Sequence, residues 1–120
     1  MSDMSFLVID DDEVFSDILT RGLTRRGFEV KQAHNAEEAI RFANQHKFSQ
    51  ITVDLHLGND SGLSLIAPLR ELQPDARMLV LTGYASIATA VQAVKDGADN
   101  YLAKPANVEM IPDVLIFRMR

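Results

Sequence analysis

Asp10, Asp11, Asp54, Thr82 and Lys104 are the residues of this 120-residue chain whose types and positions could do chemistry together. Each closes or directly follows a short apolar run. Phe6-Leu7-Val8-Ile9 precedes Asp10-Asp11, Ile51-Thr52-Val53 precedes Asp54, Met78-Leu79-Val80-Leu81 precedes Thr82, and Tyr101-Leu102-Ala103 precedes Lys104. Carboxylates brought together repel one another and are costly to keep ionised without a cation. Two or three such oxygens with open positions suit Mg2+, a hard ion that keeps several waters and binds through few carboxylates. Lys104 adds a mobile positive charge for a phosphate oxygen, and Thr82 adds a hydroxyl donor. Phosphoryl transfer asks mainly for positioning and charge neutralisation, so the set predicts Asp54 as a carboxylate nucleophile that becomes an aspartyl phosphate.

The elements that must position these groups follow from the apolar pattern. Short branched runs with a polar stop read as strands buried on both faces. Phe15, Ile18, Leu19, Gly22 and Leu23 recur at helical spacing and predict a first helix stopped by Gly27. Phe28 to Ala33 supplies a weaker second strand. Asn35 with Glu38 is a capping-box-like start for a second helix carrying Ala36, Ala39, Ile40 and Ala43. The third strand is Gln50 to Asp54, followed by a loose run from Leu55 to Gly62. Asp60 or Ser61 could cap a third helix carrying Leu63, Leu65, Ile66, Leu69 and Leu72, with Pro68 predicting a kink inside it. Ile87, Val91 and Val94 form the stripe of a fourth helix closed by Gly97. Asn107 to Arg120 makes a fifth, disturbed by Pro112.

Five repeats of strand then helix, with no linker or low-complexity segment, predict one α/β domain over 1–120. The expected winding is a flavodoxin-like (βα)5 doubly wound parallel sheet, strand order 2-1-3-4-5. Its functional crevice lies at the carboxyl ends of strands 1 and 3. Asp10, Asp11 and Asp54 should converge there, with Thr82 and Lys104 entering from strands 4 and 5. Asp12 and Glu13 are assigned only the negative first turn of helix 1, favourable to its dipole.

Composition narrows the classes. Hydrophobic residues make up 47% and charged residues 24%, a soluble globular balance. The absence of cysteine excludes disulfides, a thiolate nucleophile and Cys-ligated zinc, and fits a cytoplasmic protein. No apolar run approaches the ~20 residues that span a bilayer. A net charge of −5 argues against this chain binding nucleic acid by itself.

The pieces Ile9-Asp10-Asp11, Val53-Asp54, Leu81-Thr82-Gly83 and Tyr101-Leu102-Ala103-Lys104-Pro105, in this order, resemble the receiver domain of bacterial two-component response regulators over essentially the whole chain. The resemblance implies that Asp54 takes a phosphoryl group from a phosphohistidine of a partner sensor histidine kinase. It implies Mg2+ at Asp11, Asp54 and the backbone carbonyl of His56, with Asp10 assisting indirectly. Thr82 and Lys104 would hold the phosphoryl oxygens, the bond before Pro105 would be cis, and Tyr101 would be the switch aromatic. Output would be a shift of a face made by helix 4, strand 5 and helix 5, which forms a homodimer or releases an effector domain. Such a chain is a signalling module that slowly self-dephosphorylates, not an enzyme.

A narrower likeness covers Asp54 to Pro105, which looks like the redox-responsive regulators of the RegA/PrrA/ActR type. There a linker and a helix-turn-helix DNA-binding domain follow the receiver. This chain reads as the receiver of such a transcription regulator, with a stand-alone receiver as the alternative. It departs from the common receiver pattern at Leu57-Gly58, where Met-Pro is frequent, and this predicts a more mobile loop. Bulky His56 and Tyr84 flank the path of water to Asp54 and are expected to shield a phosphoryl group. His34 and His46 are expected in solvent. The main rival is a small haloacid-dehalogenase-type phosphatase, with Asp10 as nucleophile, Asp12 as acid/base and Val14 completing the motif; it leaves Asp54 unexplained. An FMN-binding flavodoxin is disfavoured because Asp10-Asp11-Asp12 would repel the cofactor's phosphate.

Overall fold

The computed structural model describes residues 4–58, 60–83 and 87–104. The expected fifth helix and the cis bond at Pro105 lie outside these residues. Five strands form one parallel sheet: β1 (Ser5–Ile9), β2 (Glu29–Ala33), β3 (Gln50–Asp54), β4 (Arg77–Thr82) and β5 (Asn100–Ala103). Their order is β2-β1-β3-β4-β5, as the alternation of elements predicts. Register places Ile9 opposite Val53 and Asp54 opposite Leu81. The polar residues after these positions therefore leave the sheet at one edge.

Alternation along the strands sorts the core into two layers. Leu7, Ile9, Ile51, Val53, Met78 and Val80 pack beneath α2 (Ala36–Gln45), α3 (Ile66–Leu72) and α4 (Ile87–Asp96). Phe6, Val8, Leu79 and Leu81 pack beneath Phe15, Leu19 and Leu23 of α1 (Glu13–Arg25). Both faces of the central strands are covered, which is why they read as unbroken apolar runs rather than alternating ones.

The helix boundaries follow from local chemistry. Asp12 caps α1 by accepting the Phe15 N–H at 3.1 Å, and Asn35 caps α2 by accepting the Glu38 N–H at 2.8 Å. Gly27, at φ 95°, ends α1 in a Schellman turn, with the Phe28 N–H on the Leu23 carbonyl and the Gly27 N–H on the Thr24 carbonyl. Asp12 thus stands just ahead of the first turn, as its cap, and Glu13 alone is the acidic residue of that turn.

Four expectations change. The run after β3 is folded, because His56–Leu57 pairs antiparallel with Asp60–Ser61 and Leu57 is buried in the core. Neither Asp60 nor Ser61 caps a helix; a 3-10 turn over Leu63–Leu65 leads into α3. Pro68 consequently sits in the first turn of α3, where its missing N–H needs no partner, and the interior kink is not required. On α4 the core-facing residues are Ala90 and Ala93, while Val91 and Val94 are 43% and 40% exposed. Small alanines let the helix approach its neighbours closely, and the valine stripe points away from the core.

Gly62 ties this connection to the end of β3. Its N–H donates to the Leu55 carbonyl at 3.0 Å, and a Cβ here would overlap the Asp54 carbonyl oxygen and come within 2.7 Å of Leu55 Cα. Its φ is that of an ordinary residue, so the constraint is space alone. Gly62→Ala should lower stability by ~1–3 kcal/mol, as overpacking does, read as a lower urea midpoint at unchanged slope.

Candidate functional site

The site forms where β1, β3, β4 and β5 end. Asp10 follows β1 and is held by its N–H on the Ala33 carbonyl of β2 at 3.0 Å. Asp54 is the last residue of β3. Thr82 ends β4, and its carbonyl accepts the Lys104 N–H at 2.9 Å, which fixes Lys104 beside it. Asp10, Asp54 and Thr82 are buried, Lys104 is half-buried and Asp11 is exposed. One carboxylate oxygen from each of Asp10, Asp11 and Asp54 lies within 4.8 Å of the others. The convergence predicted from the strand order is therefore present.

The chain itself supplies part of the positive charge that three carboxylates require. Lys104 Nζ lies 2.8 Å from Asp10 Oδ2 and donates to Asp54 Oδ2 at 3.0 Å. Each carboxylate's other oxygen is fixed by backbone: Asp10 Oδ1 accepts the Asp12 N–H at 3.0 Å, and Asp54 Oδ1 accepts the His56 N–H at 3.1 Å. Asp10 Oδ2 is buried and touches Lys104 as an ion pair without an aligned hydrogen bond, so it keeps unused acceptor capacity. An all-oxygen donor set with such capacity fits a hard divalent cation. Gly58, at φ 57°, leaves room beside Asp11, since a Cβ there would stand 3.2 Å from Asp11 Oδ2.

Sequence reasoning missed the aromatic member of the site. Phe15 of α1 lies beneath Lys104, with the ammonium 4.3 Å from its ring centroid. It was read only as part of a helical stripe. His56 is exposed on the hairpin, and Tyr101 is 40% exposed on β5. Tyr84 lies outside the described residues. His46 is exposed as expected, but His34 is half-buried, with Nε2 3.0 Å from Gln32 Oε1. The rival phosphatase arrangement is not built, because Asp12, its would-be acid/base, is spent as the cap of α1 and Val14 is 69% exposed.

Burial pushes the Asp10 carboxyl up from 3.8 to about 6, with the nearby Asp54 charge adding to the rise and Lys104 and the Asp12 N–H holding it down. Burial alone would lower the Lys104 ammonium, but its contacts with Asp10 and Asp54 outweigh that and raise it. A carboxyl raised in the folded state stabilises most below its unfolded value, and that contribution is lost as pH rises through about 6. The Lys104 contribution has the opposite partner and a higher window, holding below 10.5 and disappearing only in alkali. At neutral pH without a divalent cation, ionised Asp10 is therefore a destabilising group. Asp10→Asn should be more stable than the parent at pH 7.5, by on the order of 2 kcal/mol, with the gap closing at pH 4.5 in paired urea titrations.

Comparison with known proteins agrees with this geometry. The model of the response regulator receiver domain matches residues 6–116. The acid tolerance regulatory protein ActR of Sinorhizobium medicae is 47% identical over 116 residues, 97% of this chain and 60% of that protein. The photosynthetic apparatus regulatory protein RegA of Cereibacter sphaeroides is 42% identical over 115 residues, 96% of this chain and 62% of that protein. This chain thus spans about 60% of the length of the curated relatives it matches. A crystal structure of a response regulator protein from Burkholderia pseudomallei, with a phosphorylated aspartic acid, calcium ion and citrate, superposes with a TM-score of 0.90 at 70% identity. It covers 97% of this chain and 66% of that one. A parallel sheet that gathers three carboxylates and a lysine at one edge, matched by this family almost end to end, makes the chain a member of the response regulator receiver domain family of two-component signalling.

Proposed function

We propose that Asp54 is the phosphoacceptor, taking its phosphoryl group from a phosphohistidine of a sensor histidine kinase. The observation that carries this reading is the state of the Asp54 carboxylate. It is buried at the end of a central strand, oriented by the His56 N–H, and neutralised by an ammonium on a flexible side chain. In the transfer, an Asp54 carboxylate oxygen forms a bond to phosphorus as the phosphorus–nitrogen bond breaks, and the electron pair returns to the imidazole. Lys104 then exchanges its carboxylate contact for a phosphoryl oxygen, and the Thr82 hydroxyl donates to another.

Asp11, Asp54 and the His56 carbonyl would hold Mg2+, with Asp10 acting indirectly. The bound divalent cation supplies the positive charge that offsets the carboxylates and the incoming phosphoryl group. The relative with a phosphorylated aspartic acid and a calcium ion supports a divalent cation in this role. Output would be control of transcription through a DNA-binding effector domain, a reading supported by the regulatory names of ActR and RegA and by a further relative, the DNA-binding transcriptional regulator NtrC of Azospirillum brasilense. No helix among the described residues is long and apolar enough to cross a membrane. Membership of the receiver family supports a cytoplasmic site for the reaction. Tyr101, with exposed Val91 and Val94, gives α4 and β5 an apolar outer face that suits a second copy of the chain once Thr82 and Tyr101 shift.

Acetyl phosphate with Mg2+ should add one phosphoryl group by intact mass to the parent and none to Asp54→Asn, and a chelator should reduce labelling to background. Labelling that persisted in Asp54→Asn but vanished in Asp10→Asn would move the nucleophile to Asp10 and revive the phosphatase. His56 and Tyr84 shield the phosphoryl group in this reading, so Tyr84→Ala should shorten its lifetime several-fold; an unchanged decay removes Tyr84 from the role. Labelled parent should sediment as a dimer and labelled Val94→Asp as a monomer; equal dimerisation would place the interface elsewhere.

A further inference from the structure

The Lys104 ammonium has three N–H donors and, among the described residues, meets two carboxylates, while a further side rests on a ring. Phe15 is almost fully buried, packed in the layer that contains Phe6, Val8, Leu19, Leu79 and Leu81. Its backbone is fixed as well, because its N–H is the one that Asp12 caps. The ring therefore cannot follow the ammonium; it is a rigid surface on which the ammonium sits. An aromatic face attracts a cation through its quadrupole, more strongly where water is excluded, and it does so without a competing negative charge.

This matters because Lys104 has two incompatible tasks in the phosphoacceptor reading. While it bridges Asp10 and Asp54 it occupies the carboxylates that a divalent cation needs. When the phosphoryl group arrives it must release them and still remain over the pocket. A ring 4.3 Å from the ammonium in the seat the structure shows attracts the charge independently of the carboxylate contacts, and so can hold it over the pocket when they are released. Without it, an ammonium displaced from the carboxylates would be drawn to solvent.

We propose that the Phe15 ring is a positioning residue for Lys104: its π face keeps the ammonium over the acidic pocket, weakening divalent-cation binding while speeding phosphoryl acceptance at Asp54. The proposal rests on the phosphoacceptor reading and predicts a split that simple packing would not produce. Replacing Phe15 site-specifically by its 4-fluoro, 3,5-difluoro and 3,4,5-trifluoro analogues weakens the quadrupole stepwise at nearly constant shape.

Across that series in the full chain, Mg2+ affinity measured by calorimetry should rise while the acetyl phosphate labelling rate at saturating Mg2+ falls. Each change should total about three- to tenfold by the last member. Phe15→Tyr, which keeps the face, should stay near the parent in both measurements. Flat affinities and rates across the series would overturn the proposal, and so would a parallel loss of both. Asp54→Asn run alongside separates the two ideas: labelling that survived in it would sink the phosphoacceptor reading, leaving the Mg2+ affinities to decide the role of Phe15.

Discussion

Two carboxylates buried on neighbouring strand ends repel each other and lose hydration, and in this protein an ammonium lies between them. Lys104 reaches Asp10 and Asp54 at 2.8 and 3.0 Å, from the end of a strand that pairs with neither β1 nor β3. The contact therefore links β5, through β4, to the centre of the sheet. Among the described residues it also leaves the site short of positive charge, since a single lysine faces the cluster of Asp10, Asp11 and Asp54. Much of the structure around the pocket can be understood as managing that imbalance. Backbone N–H groups fix one oxygen of each buried carboxylate, and the turn at Gly58 leaves space next to Asp11.

The same imbalance makes the site responsive. Asp10 titrates near 6 because burial opposes its charge more than Lys104 supports it. A folded state that carries such a penalty is stabilised by anything bringing positive charge to the carboxylates. Stability and ligand binding are thus coupled through one cluster, and the coupling needs no moving part beyond a lysine side chain. In the proposed phosphoacceptor reading, signalling becomes a matter of which groups Lys104 and Thr82 address.

Away from the pocket, α4 shows how packing and exposure divide one helix. Alanines at 90 and 93 face inward, where close approach is needed, and valines at 91 and 94 face outward beside Tyr101. The C-terminal end of α4 is held by Arg70 of α3, whose Nε donates to the Gly97 carbonyl at 3.0 Å and whose guanidinium pairs with Asp99 at 3.0 Å. One end of the helix is clasped to the body of the domain, and an apolar stripe is left exposed.

The sequence by itself determined the strands, their parallel winding and the membership of the acidic cluster. Buried parallel strands must be unbroken apolar runs, and each polar stop marks the same edge of the sheet, so Asp10, Asp54, Thr82 and Lys104 could be placed together from their positions alone. The cap at Asn35 was also legible, because its hydrogen bond spans only three residues, whereas Asp12 suggested only a charge in the first turn and its cap emerged from the structure. What lay beyond reach depended on distances between elements. The valines of α4 looked like a core stripe because periodicity gives a face but not its direction, and only the close approach permitted by the alanines chose it. The run after Asp54 looked loose because a two-residue hairpin has no periodicity to detect. Pro68 looked like a kink because the 3-10 turn ahead of it leaves no signature. Lys104 could be assigned to the pocket, but its seat between two carboxylates and the ring of Phe15 was decided by tertiary structure alone. The three partners come from β1, β3 and α1, 50 to 94 residues away in the chain, and nothing local records that they meet.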